Sequence, residues 1–411
     1  MTQRTETVVI GAGPAGLSCS HHLARRQRDH IVLEQGLVAE TWRTHRWDGF
    51  RLNTPSFFLD LPGLPYDGDD PEGFLTGAET VAYLERYAAS CQAPVATGVR
   101  VLKLARHAGR FVLQTADGAI EAANVVVATG AFQRPAPRPA GRNPTPVLQM
   151  HASEYRRPDQ LPPGAVLVVG SGQSGCQIAH ELNADGRRVY LSLGRCPWVP
   201  LRYRARQFAR WAIDLGLMED TVDSLPRHAR LLCNAVVGDA DGGHLCDPER
   251  LARDGVILIG RVGGLDGAIA RVIPDAGERL AEAATFTEGF KRRVDALIDA
   301  RALELPQELA RERAPTVTHD VRELDLTVAG VAAIVWANGY RPDFGWLGMP
   351  AFDRAGWPLQ TRGVTAVPGL YFVGLPWLHK RKSALFLGVG EDAEHVVSTI
   401  VGDSPAARSR T

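Results

Sequence analysis

Two glycine triplets are the residues whose type and spacing could do chemistry. Gly11-Ala-Gly13-Pro-Ala-Gly16 follows the apolar run Val8-Val9-Ile10, and Gly170-Ser-Gly172-Gln-Ser-Gly175 follows Val166-Leu-Val-Val169. In such a turn the first glycine allows the tight bend. The second lets backbone N–H groups approach a pyrophosphate, and the third lets helix and strand pack closely. The phosphates would lie at the positive end of the helix dipole. One triplet alone is weak, because glycine-rich turns are common. Two, each between a β-branched run and a helical pattern, predict a chain that binds two dinucleotides and moves electrons between them. Glu34 ends the run Ile31-Val-Leu-Glu34, about 20 residues past the first glycines, where an acid accepts ribose hydroxyls. The equivalent strand of the second unit, about 188–193, ends in Gly194-Arg195. An arginine there suits the 2′-phosphate of NADP. Arg202, Arg204 and Arg206 follow and would reinforce it or form a solvated basic loop.

These residues need strand–turn–helix units to hold them. The first unit predicts a strand ending at Ile10, a helix over 14–26 and a second strand over 31–34. A loop-rich stretch covers 41–65, then a helix covers 78–90. Strands over 99–105, 110–115 and 119–127 read as a small antiparallel meander, ending at Ala128-Thr129-Gly130. The second unit predicts a helix over 173–185 and a strand over 188–193. Two further helices fall near 206–217 and 280–300, with glycine turns at Asp241-Gly-Gly243 and Gly263-Gly264. Strands return at 332–337 and 369–373, and a last helix covers 391–400. The fold class is α/β: two Rossmann-like dinucleotide-binding domains in a three-layer arrangement, plus the meander.

Bulk properties exclude several functions. Lys+Arg and Asp+Glu number 46 each, so no polyanion-binding balance exists; neither a nucleic-acid nor a membrane-surface partner is expected. No apolar stretch approaches the roughly 20 residues of a membrane span. A strand begins within a few residues of Met1, leaving no room for a secretion signal. Cys19, Cys91, Cys176, Cys196, Cys233 and Cys246 are scattered without a C-x-x-C pair, which fits a reduced, cytoplasmic protein. His244 and Cys246 lack partners at metal-ligand spacing, so no metal is expected.

Taken together, the segments resemble the FAD- and NADPH-dependent flavin-containing (class B) monooxygenases, a group that includes the plant auxin-forming (YUCCA-type) enzymes. The resemblance spans nearly the whole chain. It rests on both glycine triplets, on Ala128-Thr129-Gly130, on His151-Ala-Ser-Glu-Tyr155, on Ala337-Asn-Gly-Tyr340-Arg-Pro and on Gly369-Leu-Tyr-Phe-Val-Gly374. It departs from the family in places. Only His151 and Tyr155 remain of an F-x-G-x-x-x-H-x-x-x-Y/W fingerprint, and His151 reads as a packing or hinge histidine. Asn338 replaces a threonine at a position that lies near the flavin in the family pattern.

The resemblance implies a discontinuous layout. Residues 1–155 and 325–411 would bind FAD, and 156–324 would form an inserted NADPH-binding domain with a helical insertion. It also implies a reaction: NADPH reduces the flavin, a C4a-(hydro)peroxyflavin forms with O₂, and one oxygen passes to a small organic substrate. A homodimer is a family-level expectation. Asn53, in Leu52-Asn53-Thr54-Pro55, would face that intermediate. Trp42 and Arg43 match a segment lying over the flavin. Lys380 and Lys382, beyond the strand end at Gly374, would bind a substrate carboxylate or offset flavin charge, or else form a solvated loop. Glu391 would stand at the start of the last helix, near the flavin edge. Three alternatives compete: a Baeyer–Villiger monooxygenase, a non-catalytic redox-sensing flavoprotein, and a disulfide reductase, which the absence of a cysteine pair disfavours.

Overall fold

A computed structural model describes residues 3–139, 141, 143–224, 235–239, 244–308 and 316–402. Cys233 and the 241–243 turn lie outside them. The chain forms two parallel-centred sheets. In the first, the strand order is Gln360–Thr361, Val364–Thr365, Leu370–Phe372, Gly118–Val127, Gln3–Ile10, His30–Leu33, Val95–Ala96. The five strands from Leu370–Phe372 to Val95–Ala96 are parallel. The meander of Lys103–His107 and Arg110–Thr115 joins this sheet through Gly118–Val127.

The second sheet is parallel throughout, in the order Leu148–His151, Val331–Trp336, Ala165–Val169, Val189–Ser192, Ile257–Ile259, Thr318–His319. A second meander, Val262–Asp266, Ile269–Val272 and Glu323–Asp325, lies beside it. Leu148–His151 and Val331–Trp336 therefore pair in the second sheet. Its membership begins before residue 156 and ends after residue 324, because the buried apolar strand Val331–Trp336 pairs with Ala165–Val169, and Leu148–His151 adds to its other side as an edge strand.

The alternating periodicity of the central strands places successive residues on opposite faces. Val9, Val32 and Val126 pack on the helices Pro14–Arg25 and Phe386–Ile400. Val8, Ile10, Val125 and Val127 face Leu104, Phe111 and Phe344 on the other side. The second sheet repeats this: Val166, Val168 and Leu191 meet the helix Gln173–Ala184, while Leu167, Ile334 and Trp336 meet the second meander. Each fully buried Val or Leu contributes about 1.5–3 kcal/mol, so both faces stabilise the strands that carry the glycine turns.

Most helices fall where the periodicity puts them, as Pro14–Arg25, Gly77–Ser90 and Gln173–Ala184. Gly77–Ser90 starts at a reciprocal capping box between Thr76 and Glu79. Three differ: Phe208–Asp214 is shorter than 206–217, Ala276–Ala300 starts earlier than 280, and the last helix starts at Phe386 rather than 391.

Candidate functional site

The two glycine turns are near copies. A Cβ at Gly11 would stand 2.6 Å from the Ala128 carbonyl oxygen, and one at Gly170 would stand 2.5 Å from that of Ala337. A Cβ at Gly16 would fall 1.8 Å from the Gly11 oxygen, and at Gly175 1.9 Å from the Gly170 oxygen. Only glycine fits those four places. At Gly13 and Gly172, by contrast, a Cβ would meet nothing within 4 Å. Each turn is thus closed toward the protein and open where its middle glycine points, as a cradle for a pyrophosphate requires. The residues present fit two dinucleotides.

The strand ends behind the cradles match as well. Ala128 N–H donates to Ile10 O at 2.9 Å, and Ala337 N–H to Val169 O at 2.8 Å. Gly130 and Gly339, each two residues on, take positive φ of 72° and 88°. Thr129 is half-buried, and its hydroxyl accepts from Gln133 Nε2 at 2.7 Å. Asn338 is therefore the counterpart of Thr129 at the second cradle. Its Nδ2 donates to the Pro137 carbonyl at 3.1 Å.

The cradles differ in charge. Glu34 is 8% exposed and accepts from Ala12 N–H at 2.8 Å, inside the first turn. Its second oxygen accepts from Gly36 N–H at 3.1 Å. In the second turn Ser171 replaces Ala12, and its hydroxyl accepts from Gly194 N–H at 3.0 Å. The second cradle thus ends in a neutral hydroxyl followed by exposed Arg195. Ser171 could have been read from its alignment with Ala12.

Around the first cradle, Gly374 has φ +81°, and a Cβ there would sit 2.5 Å from Ala15 Cβ. The strand Leu370–Phe372 thereby delivers its end against the first helical turn. Trp42 lies on the short helix Glu40–Thr44, which is tied to the cradle by Ala39 N–H donating to Ala12 O at 3.2 Å. Its ring centroid is 6.0 Å from those of Phe50 and Phe386. Arg43 points elsewhere: Nε donates to Val38 O at 3.0 Å, and the guanidinium pairs with Glu85. Asn53 is half-buried, and its side chain makes no hydrogen bond to the described residues. The preceding Leu52 carbonyl accepts from His244 Nε2 at 3.3 Å, a residue far along the chain.

Lys380 and Lys382, expected to bind a substrate carboxylate or offset flavin charge or else to form a solvated loop, are both ion-paired. Lys380 Nζ lies 2.6 Å from Glu219 and 2.9 Å from Glu391. Lys382 Nζ lies 2.6 Å from Glu219 and also pairs with Glu391. Two ammonium groups and two carboxylates close one network. Burial pushes the Glu219 and Glu391 carboxyls up, but hydrogen bonds from both lysines outweigh it and hold them below the usual carboxylate range. Hydrogen bonds to Glu219 and Glu391 raise Lys380. Glu391 is the sixth residue of Phe386–Ile400, not at its start, and is spent on this network. Glu219 comes from a distant segment and carries no sequence signal of the pairing.

His151 is 2% exposed and bonds the Gly339 carbonyl through Nε2 at 3.1 Å. Tyr155 is fully buried and donates to Glu181 at 2.7 Å. Both serve the packing between strand ends and helix. Among the described residues no group of three or more metal-ligating side chains could hold an ion, and no helix is long and apolar enough to cross a membrane.

Two parallel sheets, each ending in a glycine cradle, define an oxidoreductase that uses two dinucleotides. Residues 8–206 match the pyridine nucleotide-disulphide oxidoreductase family. An uncharacterized CzcO-like oxidoreductase of Geobacillus kaustophilus is 32% identical over 98% of this chain and 99% of its own. Indole-3-pyruvate monooxygenase YUCCA1 of Oryza sativa is 26% identical over 81% of this chain and 83% of its own. The flavin-containing monooxygenase of Stenotrophomonas maltophilia shares the fold at TM-score 0.66 and 19% identity, over 97% of this chain and 99% of that one. The chain belongs to the CzcO-like oxidoreductases.

Proposed function

We propose that this chain is an FAD- and NADPH-dependent monooxygenase that transfers one oxygen atom from O₂ to a small organic molecule, at a carbon or a heteroatom. The observation that carries it is the pair of near-identical cradles with unlike ends, a buried acid in one and a hydroxyl plus arginine in the other. FAD would lie on the first, held by Gly11, Gly13, Gly16, Glu34, Thr129, Gly130 and Gly374, with Trp42 beside it. NADPH would lie on the second, held by Gly170, Gly172 and Gly175. Arg195 would take the 2′-phosphate, which an acid at that strand end would repel. The flavin supplies hydride acceptance and oxygen activation when bound. The protein binds, orients and keeps water out. Asn53, with an amide uncommitted to the described protein, would donate to a polar edge in the loop beside Leu52. The Lys380–Lys382–Glu219–Glu391 network holds segment 217–222 against the start of the last helix, which walls that side.

The purified chain should be yellow and should lose its colour anaerobically with NADPH. With labelled ¹⁸O₂ and a broad set of amines, sulfides, keto acids and ketones, at least one compound should gain one labelled oxygen and speed NADPH use. A chain that takes up no FAD, or whose flavin NADPH does not reduce, overturns the proposal. Return of all reducing equivalents as hydrogen peroxide, whatever compound is added, would make it an oxidase instead.

A further inference from the structure

Just after the helix Glu40–Thr44 stands a cation that nothing above uses. The Arg46 guanidinium carbon lies 5.3 Å from the Trp42 ring centroid, 5.2 Å from that of Phe50 and 5.3 Å from that of Phe132. Its Nη1 donates to the adjacent His45 carbonyl at 3.1 Å. Its Nε is buried with no hydrogen-bond partner, although the Tyr340 hydroxyl stands within hydrogen-bonding reach of the guanidinium. Among the described residues no carboxylate pairs with it. Arg156 adds further positive charge, donating to the Arg46 carbonyl, while neighbouring His45, which burial holds toward its neutral form, has its own Nδ1 buried without a partner.

The place matters as much as the charge. Phe132 lies two residues past Gly130 of the first cradle, and Tyr340 one past Gly339 of the second. The two segments pair in antiparallel fashion, Tyr340 with Pro135 and Arg341 with Arg134. Their rings are 5.1 Å apart. Trp42 belongs to the helix anchored on the first cradle. Arg46 therefore sits at the seam where both strand ends converge.

A buried guanidinium without a counter-ion is costly. Stacking on aromatic rings returns part of that cost but leaves the charge uncompensated. A ligand that brings negative charge to the seam would complete it. The only ligands for which the fold builds cradles there are dinucleotides, and each carries phosphates.

We propose that Arg46 is a cofactor-binding residue, its guanidinium pairing with a phosphate of a dinucleotide at the seam between the two cradles. The proposal rests on the reading of the cradles as FAD and NADPH sites, and the source of the phosphate is decided by experiment. Full-length Arg46→Met and Arg46→Lys are compared with wild type. FAD affinity is measured by titrating flavin back into stripped protein, and NADP⁺ affinity by calorimetry on the FAD-loaded protein, each at low and high salt. Arg46→Met should weaken one of the two by about 30-fold or more, the loss expected on truncating one partner of a buried charge pair. The salt dependence of that titration should flatten. Loss in the FAD arm assigns the phosphate to the flavin, and loss in the NADP⁺ arm assigns it to the nicotinamide cofactor. Arg46→Lys should keep part of the affinity. The stripped Arg46→Met protein should melt no lower than stripped wild type, since it has lost an unpaired buried charge. Unchanged affinity in both arms overturns the proposal. If Arg46→Met does not fold, the same two titrations on Arg46→Lys decide, because a lysine cannot reproduce the planar fork: weakening supports the proposal and no change overturns it. A wild-type chain that takes up neither dinucleotide overturns the functional reading and this proposal together.

Discussion

Alanine at the middle glycines should separate binding from folding and should tell the two cradles apart. Gly13 and Gly172 are the N-caps of their helices, with φ/ψ of −87°/−173° and −70°/177°, extended conformations that any residue adopts. A Cβ at either meets nothing within 4 Å. Replacing glycine by alanine narrows the unfolded ensemble, worth about 0.4–1 kcal/mol of stability. Alanine is also a poorer N-cap than glycine, by roughly 0.5–1 kcal/mol. The two nearly cancel, so both variants should melt close to wild type. The ligand meets the new methyl where it needs the backbone. Losing two charge-assisted N–H contacts at about 1.5–3 kcal/mol each removes about 3–6 kcal/mol of binding, a factor of at least about 100. Gly13→Ala should elute from gel filtration colourless, whereas Gly172→Ala should keep its flavin and fail to bind NADP⁺ in calorimetry. Gly16→Ala and Gly175→Ala are controls of opposite kind: their Cβ atoms would fall 1.8 and 1.9 Å from backbone oxygens, so both should misfold. Flavin lost from Gly172→Ala and kept by Gly13→Ala would reverse the assignment. Full binding of both dinucleotides by both variants would refute the argument from open space.

Three more outcomes are expected. Arg195→Ala should raise KM for NADPH by about 10-fold or more, the worth of a charge-assisted contact, while leaving KM for NADH little changed; equal effects on both cofactors, measured by steady-state kinetics, would remove Arg195 from the 2′-phosphate. Lys382→Met should leave Glu219 and Glu391 facing one ammonium and cost only about 1 kcal/mol, because both carboxylates stand about half exposed and solvent screens the pair, checked by urea unfolding; the same network should weaken as pH falls through the depressed Glu219 and Glu391 values, below about pH 4.5, so an acid limb present in wild type should shrink in the variant. Asp392 is 2% exposed, and burial pushes its carboxyl from 3.8 to about 6. A carboxyl raised on folding favours the native state only at low pH, and that contribution is lost as pH rises from about 4 through about 6. Asp392→Asn should therefore stabilise the protein at pH 8 relative to pH 4, by up to about 3 kcal/mol for two pKa units. A gain that does not vary with pH would place the effect in packing instead.

What could be read from sequence divides along a physical line. The glycine triplets, the strand-ending Glu34 and the helices that follow are local: backbone sterics within a few residues fix them, so type and spacing suffice. The meander was legible for the same reason, since short alternating runs and an Asp117-Gly118 turn specify their own pairing, although its first strand runs Lys103–His107 rather than 99–105. Sheet membership was not. Val331–Trp336 is as apolar as a strand of either sheet, and only its partners Leu148–His151 and Ala165–Val169 decide. Charge pairing was least legible. Lys380 and Lys382 read as a cationic loop because Glu219, over 160 residues earlier, gives no sign that it will close on them. Arg46 shows the reverse: in sequence it is an ordinary loop arginine, and only the convergence of Phe132, Tyr340 and Trp42 shows that it is buried without an acid among the described residues. The network that looked like a ligand site is electrically closed, whereas the residue that looked structural carries the uncompensated charge. A site for an anionic cofactor is better sought from charges the fold leaves unpaired than from charges the sequence clusters.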